Sequence, residues 1–386
     1  MTKQLNTGVL VINDGSSSLK FSLYDGETLI QKWSGVISPI GSGTGKLEII
    51  NDQREIIESR SGAFKDLKVA VNEIIRWLKD KNMAPLISAI GHRLVQGGPQ
   101  HRQPELVTDE LLKTLTQFTY LAPNHLPNEL MAIKIFQAAF PKIPQVACFD
   151  TTFHQDIPSY AKYYALPEKY KAMGLMKYGF HGLSYQYILQ DLTAEDPKVT
   201  KKKIIIAHLG NGASMAAVKN GISVDTTMGI SPIGGLVMGT RSGDLDPGVL
   251  LFLLKQGKLT ATQLDELLSK NSGLKAIAGI SDIQELLQAE PKEPKAAEAL
   301  AVFCYAAKKF IGALATAMGG LDLLVFTGGI GENSPIIRER ICSGLEFMGI
   351  DLTNPKSRVA VRVIPTNEAF MIARLTTELL NDKIKT

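Results

Sequence analysis

Short apolar runs that end in small, glycine-containing turns recur along this chain. The run Ile204–Ala207 leads into the turn His208–Gly212, which reads His-Leu-Gly-Asn-Gly. This pattern predicts a buried strand that delivers a backbone loop to a cleft. Gly210 and Gly212 can adopt positive φ and let a ligand approach the backbone. Consecutive N–H groups in such a turn form a concavity for an anion such as phosphate. An ordinary hairpin turn is the alternative.

A second copy of the pattern favours the phosphate interpretation. The segment Val9–Gly26 aligns without a gap with Ile204–Gly221. The alignment matches Gly15 with Gly210, Phe21 with Ala216 and Leu23 with Val218. Both copies predict strand, polar turn and returning strand. They indicate two related halves, whose opposed loops would hold the phosphate tail of a nucleoside triphosphate from two sides.

The remaining pattern alternates helices and buried strands, which indicates an α/β fold. Helical periodicity predicts helices over 64–78, 109–119, 129–140 (capped by Asn128), 184–192, 260–268, 282–289, 296–318, 336–348 and 367–381. Apolar runs predict strands over 8–12, 87–91, 143–149, 321–326 and 359–364, and alternation predicts an edge hairpin over 47–57. The segment 225–248 is rich in glycine and predicts an irregular, functional loop.

Polar residues concentrate in the turns that follow the predicted strands. Asn13, Ser16, Ser18 and Lys20 suit contacts to phosphate and Mg²⁺. A serine-rich turn with a surface lysine would look the same.

Charged residues also follow other strands. Arg93 lies beyond strand 87–91, and a guanidinium is the natural partner of a carboxylate or phosphate. Asp150 follows strand 143–149, at the strand end where α/β enzymes keep reactive groups. A surface ion pair and a turn aspartate are the respective alternatives. His181 is flanked by glycines and does not lie on an apolar helical face, which disfavours a core histidine, although a core position is the alternative. Arg241, within the glycine-rich loop, indicates anion binding.

Composition narrows the class of protein. The 386 residues suffice for two domains, and 45% hydrophobic with 21% charged residues is ordinary for a globular chain. A net charge of +4 is too small to indicate nucleic-acid binding. Three cysteines fit a reducing compartment and buried structural thiols. We find no signal peptide and no apolar run approaching membrane-spanning length, so we expect a soluble, cytoplasmic protein.

The turn Thr327–Pro335 is another strand–turn–helix anion site. It contains Gly329 and Gly331 but lacks the third glycine of the dinucleotide fingerprint, which disfavours a nicotinamide dehydrogenase.

Taken together, the loops resemble those of acetate kinase and its short-chain acyl kinase relatives, in the same order, from about residue 8 to 375. The motifs His208–Ser214 and Met238–Gly248 are highly specific to that family. The resemblance implies a duplicated ribonuclease-H-like α/β fold, as in actin and sugar kinases, around a central cleft. It implies domains at 1–150 plus 370–386 and at 151–369. It further implies a homodimer that uses Mg²⁺ (or Mn²⁺) and ATP to phosphorylate acetate or a similar acid.

The resemblance also implies individual roles. Asn13 and Glu368 match metal positions, and Asp150, His181 and Arg241 match catalytic ones. Arg93, Val95, Asn124, His125, Phe180 and Pro232 match the acid-binding site. The nucleotide-binding positions are Ser16, Ser18, Lys20, His208, Leu209, Gly210, Asn211, Gly212, Asp282, Ile283, Gln284, Gly329, Ile330, Gly331, Glu332 and Asn333.

The substrate chemistry limits the role of Asp150. A carboxylic acid has a pKa of about 4 and is ionised at neutral pH, so it needs no general base. We therefore expect Asp150 to orient the substrate or a Mg²⁺-bound water.

Three positions depart from the family pattern. Asn124 replaces an apolar residue of the acyl pocket, from which we hypothesise a different, more polar acid. Gln284 replaces an arginine near the nucleotide, which puts ATP affinity or nucleotide choice in doubt. Gln96 stands where a histidine is common, with no consequence that we can argue. Propionate or butyrate kinase activity and a non-enzymatic, actin-like nucleotide switch are the alternatives.

Overall fold

The computed structural model describes residues 8–15, 17–41 and 43–385. The strands in these ranges are β1 (Gly8–Asp14), β2 (Leu19–Tyr24), β3 (Gln31–Ser38), β4 (Gly45–Asn51), β5 (Ile56–Gly62), β6 (Ile87–Leu94), β7 (Glu105–Leu106), β8 (Gln145–Phe149), β9 (Lys203–Leu209), β10 (Ala213–Lys219), β11 (Ile222–Thr226), β12 (Leu323–Thr327) and β13 (Ala360–Val363).

The α-helices in the same ranges are α1 (Leu67–Asp80), α2 (Asp109–Gln117), α3 (Leu126–Ala139), α4 (Ser159–Lys162), α5 (Glu168–Ala172), α6 (Gly182–Glu195), α7 (Pro247–Lys255), α8 (Ala261–Lys270), α9 (Gly273–Ala278), α10 (Ile283–Ala289), α11 (Pro294–Met318), α12 (Gly328–Asn333), α13 (Pro335–Cys342) and α14 (Glu368–Lys385). Short 3₁₀ helices cover Ala84–Leu86, Thr119–Leu121, Thr152–His154, Pro197–Lys201 and Glu346–Met348.

The chain folds into two compact units. Unit 1 comprises Met1–Thr152 and Asn367–Thr386, and unit 2 comprises Phe153–Thr366. For comparison, the predicted domains change at residue 150 and again at residue 370. Unit 1 therefore contains β1–β8 and the helices α1–α3 and α14, and unit 2 contains the rest.

The two sheets share one topology. Unit 1 has the order β5-β4-β3-β2-β1-β6-β8-β7, and unit 2 has β11-β10-β9-β12-β13. In each, three consecutive strands run antiparallel, and the next two long strands lie parallel on the other side of the first. Both cores therefore follow the ribonuclease-H-like order 3-2-1-4-5, which confirms the predicted duplicated α/β fold. The predicted edge hairpin is β4–β5, an addition to this core in unit 1.

The predicted match between the two glycine hairpins holds for the first strand only. In unit 1, Ile12 pairs with Phe21, whereas in unit 2 the corresponding Ala207 pairs with Met215. The turn between the strands has four residues in unit 1 (15–18) and three in unit 2 (210–212). The match of Phe21 with Ala216, and of Leu23 with Val218, is therefore wrong by one residue. Such a shift matters because it moves each side chain to the opposite face of the sheet.

Helix α14 brings the end of the chain onto the sheet of unit 1. It packs beside β6 at Gly91, where a Cβ would lie 2.4 Å from Thr376 Oγ1 and 2.6 Å from Ile372 Cγ2. Glycine is thus required at this position for the close approach. The packing places Glu368, the first residue of α14, near the end of β1.

The core of unit 2 joins α6 to the sheet. Its buried residues include Tyr185, Ile188 and Leu192 from α6, packed on side chains of β9, β10 and β12. Because α6 begins at Gly182, this packing also determines where the preceding loop with His181 lies.

Helix α11 is the one helix among the described residues that is long and apolar enough to cross a membrane by length and composition. This differs from the expectation that no apolar run approaches that length. Ten of its 25 residues are buried, and it packs against β9, β10 and α9 within unit 2. Such packing is what a core helix of a folded domain shows.

Several predicted element boundaries are wrong. Helix α3 begins at Leu126, with His125 at its N-cap and Pro127 in its first turn, so Asn128 is not the cap. Strand β6 continues to Leu94, which places Arg93 within the strand instead of beyond it. The predicted turn 327–335 contains the helix α12, and α13 ends at Cys342 instead of residue 348.

The cysteines are buried, as predicted. Cys148, Cys304 and Cys342 are free thiols. Burial raises the pKa of Cys148 and Cys342 to about 12, and that of Cys304 to about 11. They stay protonated at neutral pH and do not act as nucleophiles.

Candidate functional site

Arg93 is the centre of a polar cluster in unit 1. Its Nε and Nη2 donate to Asp150 Oδ1 and Oδ2 at 3.2 and 2.6 Å, a two-pronged ion pair. Its Nη1 donates to Asn13 Oδ1 and to the Asp14 carbonyl, each at 3.3 Å. Four of the five guanidinium N–H groups thus have partners within unit 1. A further ligand would meet the remaining Nη2 hydrogen and the positive charge.

The sheet positions both members of this ion pair. Arg93 projects from β6, and Asp150 follows the neighbouring strand β8, where its N–H donates to the Leu94 carbonyl at 2.9 Å. Asp150 is completely buried. An ionised carboxylate at such a position requires a cation beside it. Burial lowers the pKa of Arg93, but Asp150 and Glu368 outweigh that effect and raise the pKa above its usual value.

Two further acids surround Arg93, and sequence reasoning did not identify either of them. Glu129 of α3 is 3% exposed, and its two carboxylate oxygens lie 3.2 and 3.1 Å from the Val95 nitrogen. Burial, with Asp14 nearby, raises the pKa of Glu129 well above its usual value. Burial also raises the pKa of Asp14 from 3.8 to about 7, although Arg93 opposes the shift. For Glu129, the sequence did contain a signal: a glutamate within the otherwise apolar pattern of α3 indicates a buried acid.

The two predicted metal residues lie together. The Asn13 amide Nδ2 donates to Glu368 Oε2 at 3.0 Å, and Glu368 Oε2 lies 4.0 Å from Arg93 Nε. No group of three or more His, Cys, Asp or Glu suited to a metal occurs among the described residues. A carboxylate and an amide oxygen nevertheless fit Mg²⁺, which usually takes one or two protein carboxylates with waters and substrate phosphates.

The other predicted residues of unit 1 differ in exposure. Val95 is buried, His125 is half-buried at the N-cap of α3, and Asn124 and Lys20 are exposed. The Ser18 carbonyl accepts from the Gly15 N–H at 2.8 Å and closes the first turn. Ser16 lies outside the described residues.

Two stacked histidines form the centre of the candidate site in unit 2. The rings of His181 and His208 lie 4.2 Å apart at an interplanar angle of 21°. His181 Nδ1 is 2.8 Å from Ser214 Oγ, and His208 Nδ1 is 2.8 Å from Ser184 Oγ. Each ring is therefore held by a serine at Nδ1, and this contact fixes the direction in which Nε2 points.

Arg241 and His181 converge on the glycine turn. A Cβ at Gly212 would lie 3.4 Å from His181 Nε2 and 3.5 Å from Arg241 Nη1. Arg241 Nη1 also donates to the Pro232 carbonyl at 3.0 Å and to Met238 Sδ at 3.8 Å, contacts within the irregular segment 227–246 to which Arg241 belongs. The predicted residues His181, Arg241, Gly212 and Pro232 are thus brought together: the two side chains lie beside the backbone turn at Gly212, and the Pro232 carbonyl accepts from Arg241.

The second glycine segment of unit 2 lies beside the same turn. A Cβ at Gly210 would be 3.9 Å from His208 Nε2 and 4.0 Å from the Gly329 nitrogen. Within this segment, Glu332 Oε1 accepts from the N–H groups of Gly328 and Thr366, at 2.9 and 3.1 Å. Asn333 Nδ2 donates to the Gly329 carbonyl at 2.9 Å. Glu332 and Asn333 therefore hold the backbone in place.

Some predicted nucleotide residues have buried side chains. Leu209 is completely buried and Ile283 is 3% exposed, so each could offer a nucleotide its backbone only. Asp282 caps α10 by accepting from the N–H groups of Gln284 and Glu285, at 2.8 and 3.0 Å. Gln284, Asn211 and Gly329 are exposed, Ile330 is half-buried and Gly331 is buried. Phe180, which was predicted for the acid-binding site, is 1% exposed. The roles of all these residues stay predictions.

Comparison with known proteins identifies the family to which the chain is similar. A family model described as the Acetokinase family matches residues 8–374. The acetate kinase of Carboxydothermus hydrogenoformans is 40% identical over 97% of this chain and 100% of its own length. The acetate kinase of Dictyoglomus turgidum is 42% identical over 97% of this chain and 98% of its own.

Solved structures give the same picture. The acetate kinase of Porphyromonas gingivalis has a TM-score of 0.86 and 37% identity, covering 97% of this chain and 100% of that one. A propionate kinase from Francisella tularensis subsp. tularensis has a TM-score of 0.89 and 35% identity, covering 96% and 99%.

The relatives named acetate kinase, which match the chain over nearly its full length, indicate a kinase that transfers phosphate to a carboxylate, as expected. The chain belongs to the acetokinase family, which confirms the resemblance carried by its loops.

Proposed function

We propose that this chain is an acetate kinase, which reversibly transfers the γ-phosphoryl group of ATP to acetate and forms acetyl phosphate and ADP. Family membership and relatives named acetate kinase support this function. The observation that carries it is the convergence of His181 Nε2 and Arg241 Nη1 on Gly212. A guanidinium and an imidazole beside a backbone turn are suited to the charge on a transferring phosphoryl group, since this chemistry depends on positioning and charge stabilisation.

The reaction itself needs no general base. One acetate oxygen forms a bond to the γ-phosphorus while the bond from that phosphorus to the bridging oxygen breaks, and ADP leaves with the electron pair. Arg93 attracts the acid through its charge and its remaining Nη2 hydrogen. Asp150 holds the guanidinium in place through two hydrogen bonds. His181 and Arg241 donate hydrogen bonds to phosphoryl oxygens.

A divalent metal belongs to this proposal. Asn13 and Glu368 would hold Mg²⁺ or Mn²⁺, which when bound offsets the negative charge of the ATP phosphates. Arg93 is a single cation facing the carboxyl groups of Asp14, Asp150 and Glu368. That excess of acidic groups favours a bound cation.

A hydroxamate assay for acyl phosphate tests the function directly. Purified protein with ATP and Mg²⁺ is given acetate, propionate, butyrate and glycolate in parallel. We expect acyl hydroxamate with acetate, and none without Mg²⁺ or ATP. The likeness to a propionate kinase keeps a preference for propionate as the second candidate. ATP hydrolysis without any acyl hydroxamate would instead support a nucleotide switch.

We further propose that the chain forms a homodimer through α7. None of the nine residues of this helix is buried, although six of them are Val, Leu or Phe. Phe252 is 63% exposed and Leu251 is 53% exposed. An apolar surface of this kind marks an interaction site. Sedimentation should give a dimer for the wild type and a monomer for Phe252→Glu, and a monomeric wild type would refute the proposal.

Location and remaining partners complete the proposal. The buried, unpaired thiols fit a reducing compartment, and we place the protein in the cytoplasm. Its small net charge gives no reason for nucleic-acid binding, and the packing of α11 in unit 2 gives none for membrane insertion.

A further inference from the structure

A chain of hydrogen bonds runs behind His181 within unit 2. His181 Nδ1 lies 2.8 Å from Ser214 Oγ, and Ser214 Oγ is in a short hydrogen bond with Tyr185 OH. Ser214 and Tyr185 are both completely buried. The two hydroxyl groups are therefore shielded from water and bond to each other, and the Ser214 hydroxyl also bonds to the ring.

Local structure explains why these three residues meet. His181 is the N-cap of α6 with φ of 59°, a left-handed conformation that is uncommon outside glycine. Its carbonyl accepts from the Tyr185 N–H at 3.1 Å, so the two side chains lie one helical turn apart. Ser214 comes from β10, where it pairs with His208 of β9.

We propose that Ser214 and Tyr185 are positioning residues that keep the proton of neutral His181 on Nε2. The proposal rests on the function proposed above, since it concerns the donor to the phosphoryl group. The Ser214 hydroxyl carries a single proton. If that proton is donated to His181 Nδ1, the serine oxygen accepts from Tyr185 OH, and the ring N–H must be on Nε2.

The proton on Nε2 has a chemical purpose. Nε2 faces the turn at Gly212 beside Arg241 Nη1, so a proton there makes it a donor to a phosphoryl oxygen. In the other tautomer, Nε2 would present a lone pair to that oxygen and repel it. The ring of His181 stacks on His208, its Nδ1 faces Ser214 Oγ, and its Nε2 lies beside the Gly212 turn, as does Arg241 Nη1. Arg241 supplies the positive charge, and a neutral ring avoids placing a second cation against His208 and Arg241.

The decisive variants are Ser214→Ala and Tyr185→Phe, each of which breaks the chain at one link. We expect kcat for acetyl phosphate formation to fall about 10- to 100-fold, as for other partners that orient a functional histidine. KM for acetate and for ATP should change less than twofold, because the lost interaction acts on the transferring group. The double variant should be no slower than Ser214→Ala, since one missing link already releases the ring.

The matched control is Ser223→Ala. Ser223 is also buried, and its Oγ lies 2.9 Å from Nδ1 of the buried His154, which packs behind the loop before His181 with its Nε2 3.1 Å from the Phe180 carbonyl. It should keep kcat within twofold of the wild type. If it loses as much activity as Ser214→Ala, the effect is one of packing and the proposal is wrong.

A spectroscopic measurement makes the test independent of turnover. Two-bond ¹H–¹⁵N correlation spectra distinguish the two neutral tautomers of a histidine, and His181→Gln identifies its signals. We expect the Nε2–H tautomer in the wild type and a mixture in Ser214→Ala. An Nδ1–H wild type, or kcat within twofold for both Ser214→Ala and Tyr185→Phe, would overturn the proposal. A wild type that forms no acyl phosphate would refute the proposed function, whereas the tautomer measurement would still stand.

Discussion

The substitution Gly212→Ala places a methyl group where the proposed reaction needs a phosphoryl oxygen. The added Cβ would lie 3.4 Å from His181 Nε2, 3.6 Å from His181 Cε1 and 3.5 Å from Arg241 Nη1. These are its three nearest neighbours, and all belong to side chains. Gly212 is also absent from the positive-φ glycines of the described chain, so alanine meets no backbone strain.

The distances around Gly212 indicate how much the substitution changes the free energy of unfolding and how much it changes kcat. Contacts of 3.4–3.6 Å are ordinary van der Waals contacts, so folding should tolerate the methyl group. At a compatible site, Gly→Ala raises the free energy of unfolding by about 0.4–1 kcal/mol because the unfolded chain loses freedom. Catalysis should suffer, since loss of one preorganised donor costs about 10²–10³ in kcat. The methyl group obstructs two donors, so we expect a decrease in kcat of at least about 100-fold.

The measurement pairs the hydroxamate assay with thermal unfolding of the same preparation. Gly312→Ala in α11 is the control, because a Cβ there meets no atom within 4 Å. It should stabilise the helix by about 1 kcal/mol and leave kcat unchanged. A Gly212→Ala protein that unfolds at the wild-type temperature and keeps kcat within threefold would refute the assignment of His181 and Arg241.

Three further predictions concern other parts of the chain. Arg93→Lys loses the two-pronged bond to Asp150, because a lysine ammonium cannot replace the planar guanidinium. Steady-state assays should show KM for acetate about tenfold higher or more, and an unchanged KM would contradict a role of Arg93 in binding the acid. Asn124→Leu should shift relative rates from glycolate towards acetate and propionate, whereas equal ratios would exclude Asn124 from acid selection. Burial lowers the pKa of both His92 and His154 from 6.5 to about 4, so the unfolded chain binds more protons between these values. The free energy of unfolding should therefore be highest above pH 6.5 and decrease towards pH 4, by roughly 3 kcal/mol per histidine. His154→Gln should flatten this dependence in denaturant titrations, and an unaltered slope would contradict the assignment.

The sequence by itself determined the class of fold and the positions of the polar turns. Apolar runs such as Ile204–Ala207 must be buried, and a strand of that length has few ways to end other than in a turn. The hairpins β1–β2 and β9–β10 were readable for this reason, because their hydrogen bonds link residues close in sequence. Arg93, Asp150 and Arg241 stood out as charges close to predicted strand ends or glycines, where α/β enzymes keep reactive groups.

Tertiary structure alone decided which side chains meet. Glu129 reaches Val95 from another helix, and Ser214 reaches His181 and Tyr185 from a strand more than 25 residues along the chain. No periodicity encodes such contacts, because they depend on how α3 and α6 pack on their sheets. The one-residue offset between the two hairpins had the same origin, since pairing register is set by turn length and burial. Local patterns thus specify elements and their ends, while the partners of each polar group follow from packing between distant segments.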